Sequence, residues 1–392
     1  MLERFVDRGV FIESNRATKR LAKAVFHRTI TSGGQVTTMI RQRGADPNWL
    51  ANPRVRGSDL GVEHVYSILA LAVDNMTDHG VPSILAQGPD NGLGNLVDES
   101  PVAMPMWPTR GLQDAVMRAL IEGGANVNGR GDDEGEDDDE ESPRHSIPTT
   151  PMEVAIASGN DRAVNLLMGQ DGLQLRSALG VPRTLPTDRP TEAHEAWLLS
   201  TYQRLIDHDN TVAAQDGGSR VHSAAYRHSP FSQAFFNKYI DLLVANGADV
   251  AEVDEYSQST MTSLHRAALM GSHHIVTSLC RHLTDEGVDI GTEDDPDETP
   301  LALAAKAFKR HRTALQNNEW TDFHAKEIPF YPPTIRALLR AGADIDLMLT
   351  DTPEERALVL PESTAVLNEV PTAAMAAVNA ALRPQRASRP SS

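Results

Sequence analysis

Cysteine is nearly absent from this sequence, with Cys280 alone among 392 residues. One thiol excludes an internal disulfide framework and any multi-cysteine zinc site, and it points to a reducing compartment, cytoplasmic or nuclear. Aromatic residues are scarce, at 5%. No run of about 18 apolar residues occurs, which argues against a membrane-spanning helix. The start, MLERFVDRGV, is interrupted by charge and has none of the apolar stretch of a signal peptide. Cations are outnumbered, with Lys+Arg 36 against Asp+Glu 54 and a formal charge of −18. That balance argues against a general binder of nucleic acid or anionic membrane. Also missing are a phosphate loop, a zincin motif, a Gly-x-Ser-x-Gly elbow and a kinase set. Gly33-Gly34 is not followed by Lys-Ser/Thr, and the sequence implies neither an enzyme nor a cofactor.

The apolar share, 40% with 27 glycines besides, is enough for a large core and excludes wholesale disorder. Its distribution is repetitive. An apolar helical stretch ends in Gly, a small residue and Asp or Asn at Thr37–Asn48, Met117–Asn128, Ile240–Val250, Cys280–Ile290 and Arg336–Asp346. Weaker copies lie at Leu2–Glu13 and Val164–Leu175. The landmark glycines are Gly9, Gly44, Gly124, Gly172, Gly247, Gly287 and Gly342, spaced by 35, 80, 48, 75, 40 and 55 residues. Two spacings approach one short repeat, and the others require insertions.

A second pattern precedes most copies. It reads Thr262-Ser263-Leu264-His265-Arg266-Ala267-Ala268 with Gly271, Thr299-Pro300-Leu301-Ala302-Leu303-Ala304-Ala305, and Thr150-Pro151-Met152-Glu153-Val154-Ala155 with Gly159. Eroded forms stand at Ser219–Ala225 and Ser67–Ala72. Thr before Pro suits a helix start, where Thr caps and Pro gives up an N–H that has no partner there. Small alanines let a first helix lie close to its neighbours. The Leu-Leu pair gives the second helix an apolar face, and the Gly that follows suits a left-handed C-cap. One such pair cannot bury its own face, so copies must stack.

Together the two patterns resemble the ankyrin repeat, over most of the chain. The resemblance implies an all-α solenoid of about seven stacked helix pairs with inserted loops over residues 1–349. A tail, 350–392, is expected to carry a short capping helix at Thr372–Leu382 and then to be disordered. The first copy is only a second helix, Leu2–Arg8. The later pairs are expected at Leu21–Val25 with Val36–Ile40, Tyr66–Val73 with Leu112–Glu122, Thr150–Met168, Val221–Tyr226 with Phe236–Ala245, Thr262–Arg281, and Thr299–Lys306 with Pro333–Arg340. Insertions are expected at Asn75–Arg110, Gly180–Pro190, Phe308–Pro332 and a helical stretch, Glu192–Ile206.

The resemblance also implies a non-catalytic role, binding another protein along the surface made by first helices and inter-repeat fingers. Candidate finger residues follow each Gly-Ala-Asp. They include Pro47, Asn48 and Trp49, then Asp254, Glu255 and Tyr256, then Asp294 and Asp295. Their acidity points to a partner with a basic surface. Alternatives are an adaptor that presents a client to an enzyme, and a nucleic-acid-associated regulator. The latter would use residues 1–56, which carry eleven Lys/Arg against four Asp/Glu. The acidic run Gly131–Glu141, with nine acidic residues, reads as a solvated insertion because it lacks the ligand spacing of a calcium loop. His273, His274, Cys280 and His282 fit no common zinc spacing, and Cys280 falls at a core position. His265 and His222 occupy the scaffold position of the first pattern. Trp49, Trp107, Trp197 and Trp320 are expected to pack insertions, with interface anchoring as the alternative.

Overall fold

The computed structural model describes residues 16–51, 64–74, 106–129, 147–175, 177–182, 190–225, 229–252, 261–285 and 299–343. The expected elements at Leu2–Arg8 and Thr372–Leu382, the acidic run and Gly287 lie outside them. The chain is mostly helical and divides into two compact units, Met1–Asn210 and Thr211–Ser392.

In the first unit, α1 covers residues 16–26 and α2 Gly33–Arg41. They are followed by α3 (Ile68–Val73), α4 (Arg110–Glu122), α5 (Pro151–Ala157), α6 (Asp161–Met168) and α7 (Glu192–His208). First helix α3 packs on first helix α5, and second helix α2 on second helix α4. The short helices are the more deeply buried. All six residues of α3 are inaccessible, as are Met152, Val154, Ala155 and Ile156 of α5. Fully burying a Leu, Ile, Val or Met side chain contributes about 1.5–3 kcal/mol, so stability resides in these interfaces more than in the helices themselves.

The second unit repeats the arrangement more fully. Its helices are α8 (Val212–Ala225), α9 (Gln233–Ala245), α10 (Ser263–Leu269), α11 (His273–Asp285), α12 (Pro300–Gln316), α13 (Thr321–Glu327) and α14 (Tyr331–Arg340). First helix α10 packs between α8 and α12, and second helix α11 between α9 and α14. Phe235, Phe236, Tyr239 and Leu243 of α9 and Leu338 and Leu339 of α14 are buried with Ile275, Val276 and Leu279 of α11.

Helix starts follow the sequence. Ser67, Thr109, Thr150, Thr191, Ser232, Thr262 and Thr299 each accept a backbone N–H of the first turn. Thr150 and Glu153 form a reciprocal capping box. Helix ends follow it too. The described landmark glycines, Gly44, Gly124, Gly172, Gly247 and Gly342, all have φ between 67° and 98°. In four of them the next N–H reaches back around the turn, as Ala125 to Leu120 O at 2.9 Å and Ala248 to Leu243 O at 3.0 Å. Gly159 and Gly271 close α5 and α10 the same way.

Three features were not expected from the sequence. The structure is consistent with the expected all-α class, with one addition: β1 (Leu50–Ala51), β2 (His64–Ser67) and β3 (Ile147–Thr149) form a small sheet. β2 and β3 are parallel, with Tyr66 opposite Thr149. Each leads into the N-cap of a first helix, so packing α3 beside α5 brings two extended lead-ins side by side. Helix α8 starts at Val212, well before Val221. The helix runs through Gly217 and Gly218, and a Cβ at Gly217 would lie 2.6 Å from Ala248 Cβ. The glycines there permit contact with the next turn. Helix α12 runs ten residues past Lys306, with buried Ala307, Phe308, His311 and Ala314 carrying its apolar face onward. The stretch expected as an inserted helix is α7, and its Arg204 bonds Asp161 and Asn165 of α6. Arg162 of α6 bonds Asp114 of α4 in the same manner.

Candidate functional site

The turns that follow the landmark glycines share one construction. Ala45, Ala125 and Ala248 are buried after their glycines. The next side chain then folds onto its own backbone. Asp46 Oδ1 accepts Asn48 N–H at 2.8 Å, Asn126 Oδ1 accepts Asn128 N–H at 2.9 Å, and Asp249 Oδ1 accepts Ala251 N–H at 2.8 Å. This is the Asx turn, which explains why Asp or Asn recurs at that position.

In the first unit consecutive turns are also tied to each other. Asn48 Nδ2 donates to Gly124 O at 3.0 Å, and Asn48 Oδ1 accepts Asn126 N–H at 2.6 Å. One turn later Asn128 Nδ2 donates to Gly172 O at 2.9 Å, and Asn128 Oδ1 accepts Gln174 N–H at 2.8 Å. Each asparagine thus gives its amide to one turn-neighbour carbonyl and its carbonyl to the N–H two residues on. Three successive turns are fixed in register through two side chains. Asn48 was legible as a finger residue, but its bridging role was not. The signal is the spacing Gly-x-Asp/Asn-x-Asn, present at Gly44–Asn48 and Gly124–Asn128. Ala251 takes that place in the second unit.

Of the six candidate partner-binding residues, only Trp49 falls among the described residues, half-buried between Asn48 and β1. Asp254, Glu255, Tyr256, Asp294 and Asp295 lie outside them. Pro47 is buried.

A buried polar hub sits at the C-terminal end of α3. The Arg28 guanidinium donates to Val25 O at 2.7 Å, Leu71 O at 2.9 Å and Asp74 O at 3.0 Å, and lies 4.3 Å over the Trp107 ring. Trp107 Nε1 donates to Ala72 O at 3.1 Å, Gln113 to Ala72 O and Val73 O, and Asn160 to Val73 O at 2.8 Å. Four segments therefore converge on carbonyls that a helix end leaves without intrahelical donors. Burial pushes the Arg28 guanidinium down to about 9, with Asp74 acting in the opposite direction. At neutral pH it stays charged, and a cation at a helix C-terminus opposes the negative end of the helix dipole.

The histidines serve the scaffold. His265 Nδ1 is 2.8 Å from Thr262 Oγ1, closing the cap of α10. His274 Nδ1 meets Gln233 Oε1 at 3.0 Å, and His282 Nε2 meets Asp241 at 2.7 Å, both joining α11 to α9. Among the described residues no three of His, Cys, Asp and Glu gather as metal ligands would. Cys280 is buried, and burial pushes its thiol up to about 12. The tryptophans differ. Trp107 is buried in the hub, whereas Trp320 is 83% exposed.

No protein-family model matches this sequence, and no curated protein matches it.

Proposed function

We propose that the chain is a divergent ankyrin-repeat scaffold that binds another protein along its row of fingers and first helices. The observation that supports this most is the asparagine bridging at Asn48 and Asn128. It holds successive turns in one register through two side chains. Rigid, regularly spaced turns carrying variable side chains suit recognition of a protein surface, since little entropy is lost on binding. The acidic finger residues Asp254, Glu255, Asp294 and Asp295, with Trp49 and Tyr256 as aromatic contacts, select a partner with a basic surface.

The test is charge reversal. The full chain is used to capture partners from its native source at low and high salt. Capture of a basic protein at low salt is expected, with loss when Asp254, Glu255, Asp294 and Asp295 become Lys. The same reversal at Glu122 of α4 and Asp207 of α7, both exposed and away from those four finger residues in sequence, is expected to leave capture intact. Capture that survives the four finger changes would refute the assignment.

A further inference from the structure

The second unit carries a cationic surface of a different character from the fingers. Helix α12 overruns its repeat by almost three turns, and the overrun is basic. Lys306, Lys309, Arg310 and Thr313 fall at helical spacings of three, four and seven residues, so they share one face. With Ala314, Asn317 and Glu319 they line an open groove of about 400 Å³. Residues 299–343 hold seven Lys/Arg against three Asp/Glu, in a chain whose total is −18.

Two exposed aromatic residues follow the groove's last lining residue in sequence. Trp320 follows Glu319 directly and is 83% exposed, and Phe323, one turn on, is 53% exposed. Among the described residues the other large apolar side chain this exposed is Met106. Trp320 is held in the left-handed region, φ 41° and ψ 48°, two residues after Asn318 at φ 58°. A bulky residue in that region costs about 1–2 kcal/mol, and here the conformation turns the indole into solvent without burying it. Helix α13, which Trp320 caps, has no buried residue. It is fastened to α12 by the ring contacts of His311 with Phe323 and His324 and by the 3.0 Å approach of the two histidine Nδ1 atoms.

From this we infer that the α12–α13 face is a docking site for an acidic peptide segment of another protein that carries an apolar anchor. The carboxylates pair with Lys306, Lys309 and Arg310, and the anchor packs on Trp320 and Phe323. Charge complementarity selects the occupant. A continuous phosphate backbone would meet Glu319 in the groove and Asp322 at the start of α13, within a chain of net negative charge. A peptide can set a few carboxylates opposite the cations and leave those two acids in solvent. This site is independent of the finger reading, and its partner is of opposite charge.

The experiment measures fluorescence anisotropy of a labelled short peptide of Glu pairs alternating with Leu and Phe, titrated with the full chain. A Gln-for-Glu peptide, a Ser-for-Leu/Phe peptide and a thymidine oligonucleotide run in parallel. The expected result is saturable binding of the first peptide, at least about tenfold tighter than either control peptide, weakening with salt. Lys306→Glu with Arg310→Glu, and separately Trp320→Ala with Phe323→Ala, should each weaken it about tenfold or more. These side chains are surface-exposed, and circular dichroism checks the fold. The peptide comparisons need only the unaltered chain, so they decide the matter even where a variant misfolds. Equal binding of the three peptides, indifference to the aromatic pair, or tighter binding of the oligonucleotide would each overturn the assignment.

Discussion

Removing the Arg28 side chain tests whether the hub at the end of α3 is the internal brace of the first unit. Three charge-assisted bonds go to Val25, Leu71 and Asp74 carbonyls, and the guanidinium faces Trp107 at 4.3 Å. Hydrogen bonds to charged groups are worth about 1.5–3 kcal/mol, and a desolvated cation–π contact about 2. Against these stands the cost of burying a cation, so the net loss for Arg28→Met is about 3–5 kcal/mol, as for breaking other buried ionic contacts. Arg28→Lys should lose about 1–2 kcal/mol, since one ammonium cannot span carbonyls from three positions as a planar fork does. The backbone supplies an internal control. Arg28 has φ 55°, so Arg28→Gly should be less damaging than Arg28→Ala by about 1 kcal/mol. The assay is urea unfolding followed by tryptophan fluorescence in a Trp320→Phe background. The remaining tryptophans, Trp49, Trp107 and Trp197, all report on the first unit. A loss under about 1 kcal/mol for Arg28→Met, or Gly proving worse than Ala, would refute the reasoning.

Further outcomes follow from the same physics. Cys280, buried with its thiol raised to about 12, should resist alkylation by iodoacetamide at mildly alkaline pH in the folded chain and react once the chain is unfolded. Equal rates in the two states would contradict its place in the core. The Tyr331 phenol, raised to about 12 by burial and by Glu327, should ionise above the ordinary tyrosine range in a spectrophotometric titration. Its folded value lies above its unfolded value, so the unfolded phenol ionises first. The stability present at neutral pH should therefore be lost as pH rises from about 10 toward 12. Gly124→Ala should destabilise the first unit by about 1–2 kcal/mol because φ is 92°, while open space around the site excludes a steric cause.

The turn architecture was legible residue by residue. Glycines at helix ends, Thr and Ser at helix starts, and alanines against neighbouring helices each act within a few residues, so spacing alone exposes them. Thr262 with His265 and Thr150 with Glu153 are read directly. What stayed hidden depends on residues far apart. The pairing of residues 64–67 with 147–149 joins strands some eighty positions distant, and no local pattern announces it. Arg28 reads as one more cation of a basic segment, and only the meeting of α1, α3 and Trp107 turns it into a brace. The start of α8 at Val212 lies outside the Ser219–Ala225 pattern, and the close approach of Gly217 to Ala248 is likewise not local. The run beyond Lys306 looks like a charged insertion because Lys309, Arg310 and Arg312 mask the apolar positions Ala307, Phe308, His311 and Ala314. For the candidate partner-binding residues the same limit applies, since the finger position is local but the bridging through Asn48 is not.

Consecutive turns of the first unit are joined through Asn48 and Asn128. Residue-resolved amide hydrogen exchange on Asn48→Ala and Asn128→Ala tests it most directly. Asn48 accepts from Asn126 N–H and Asn128 from Gln174 N–H. The account predicts that Asn48→Ala speeds exchange at Asn126 and spares Gln174, and that Asn128→Ala speeds exchange at Gln174. Unchanged exchange at both amides in both variants would contradict it.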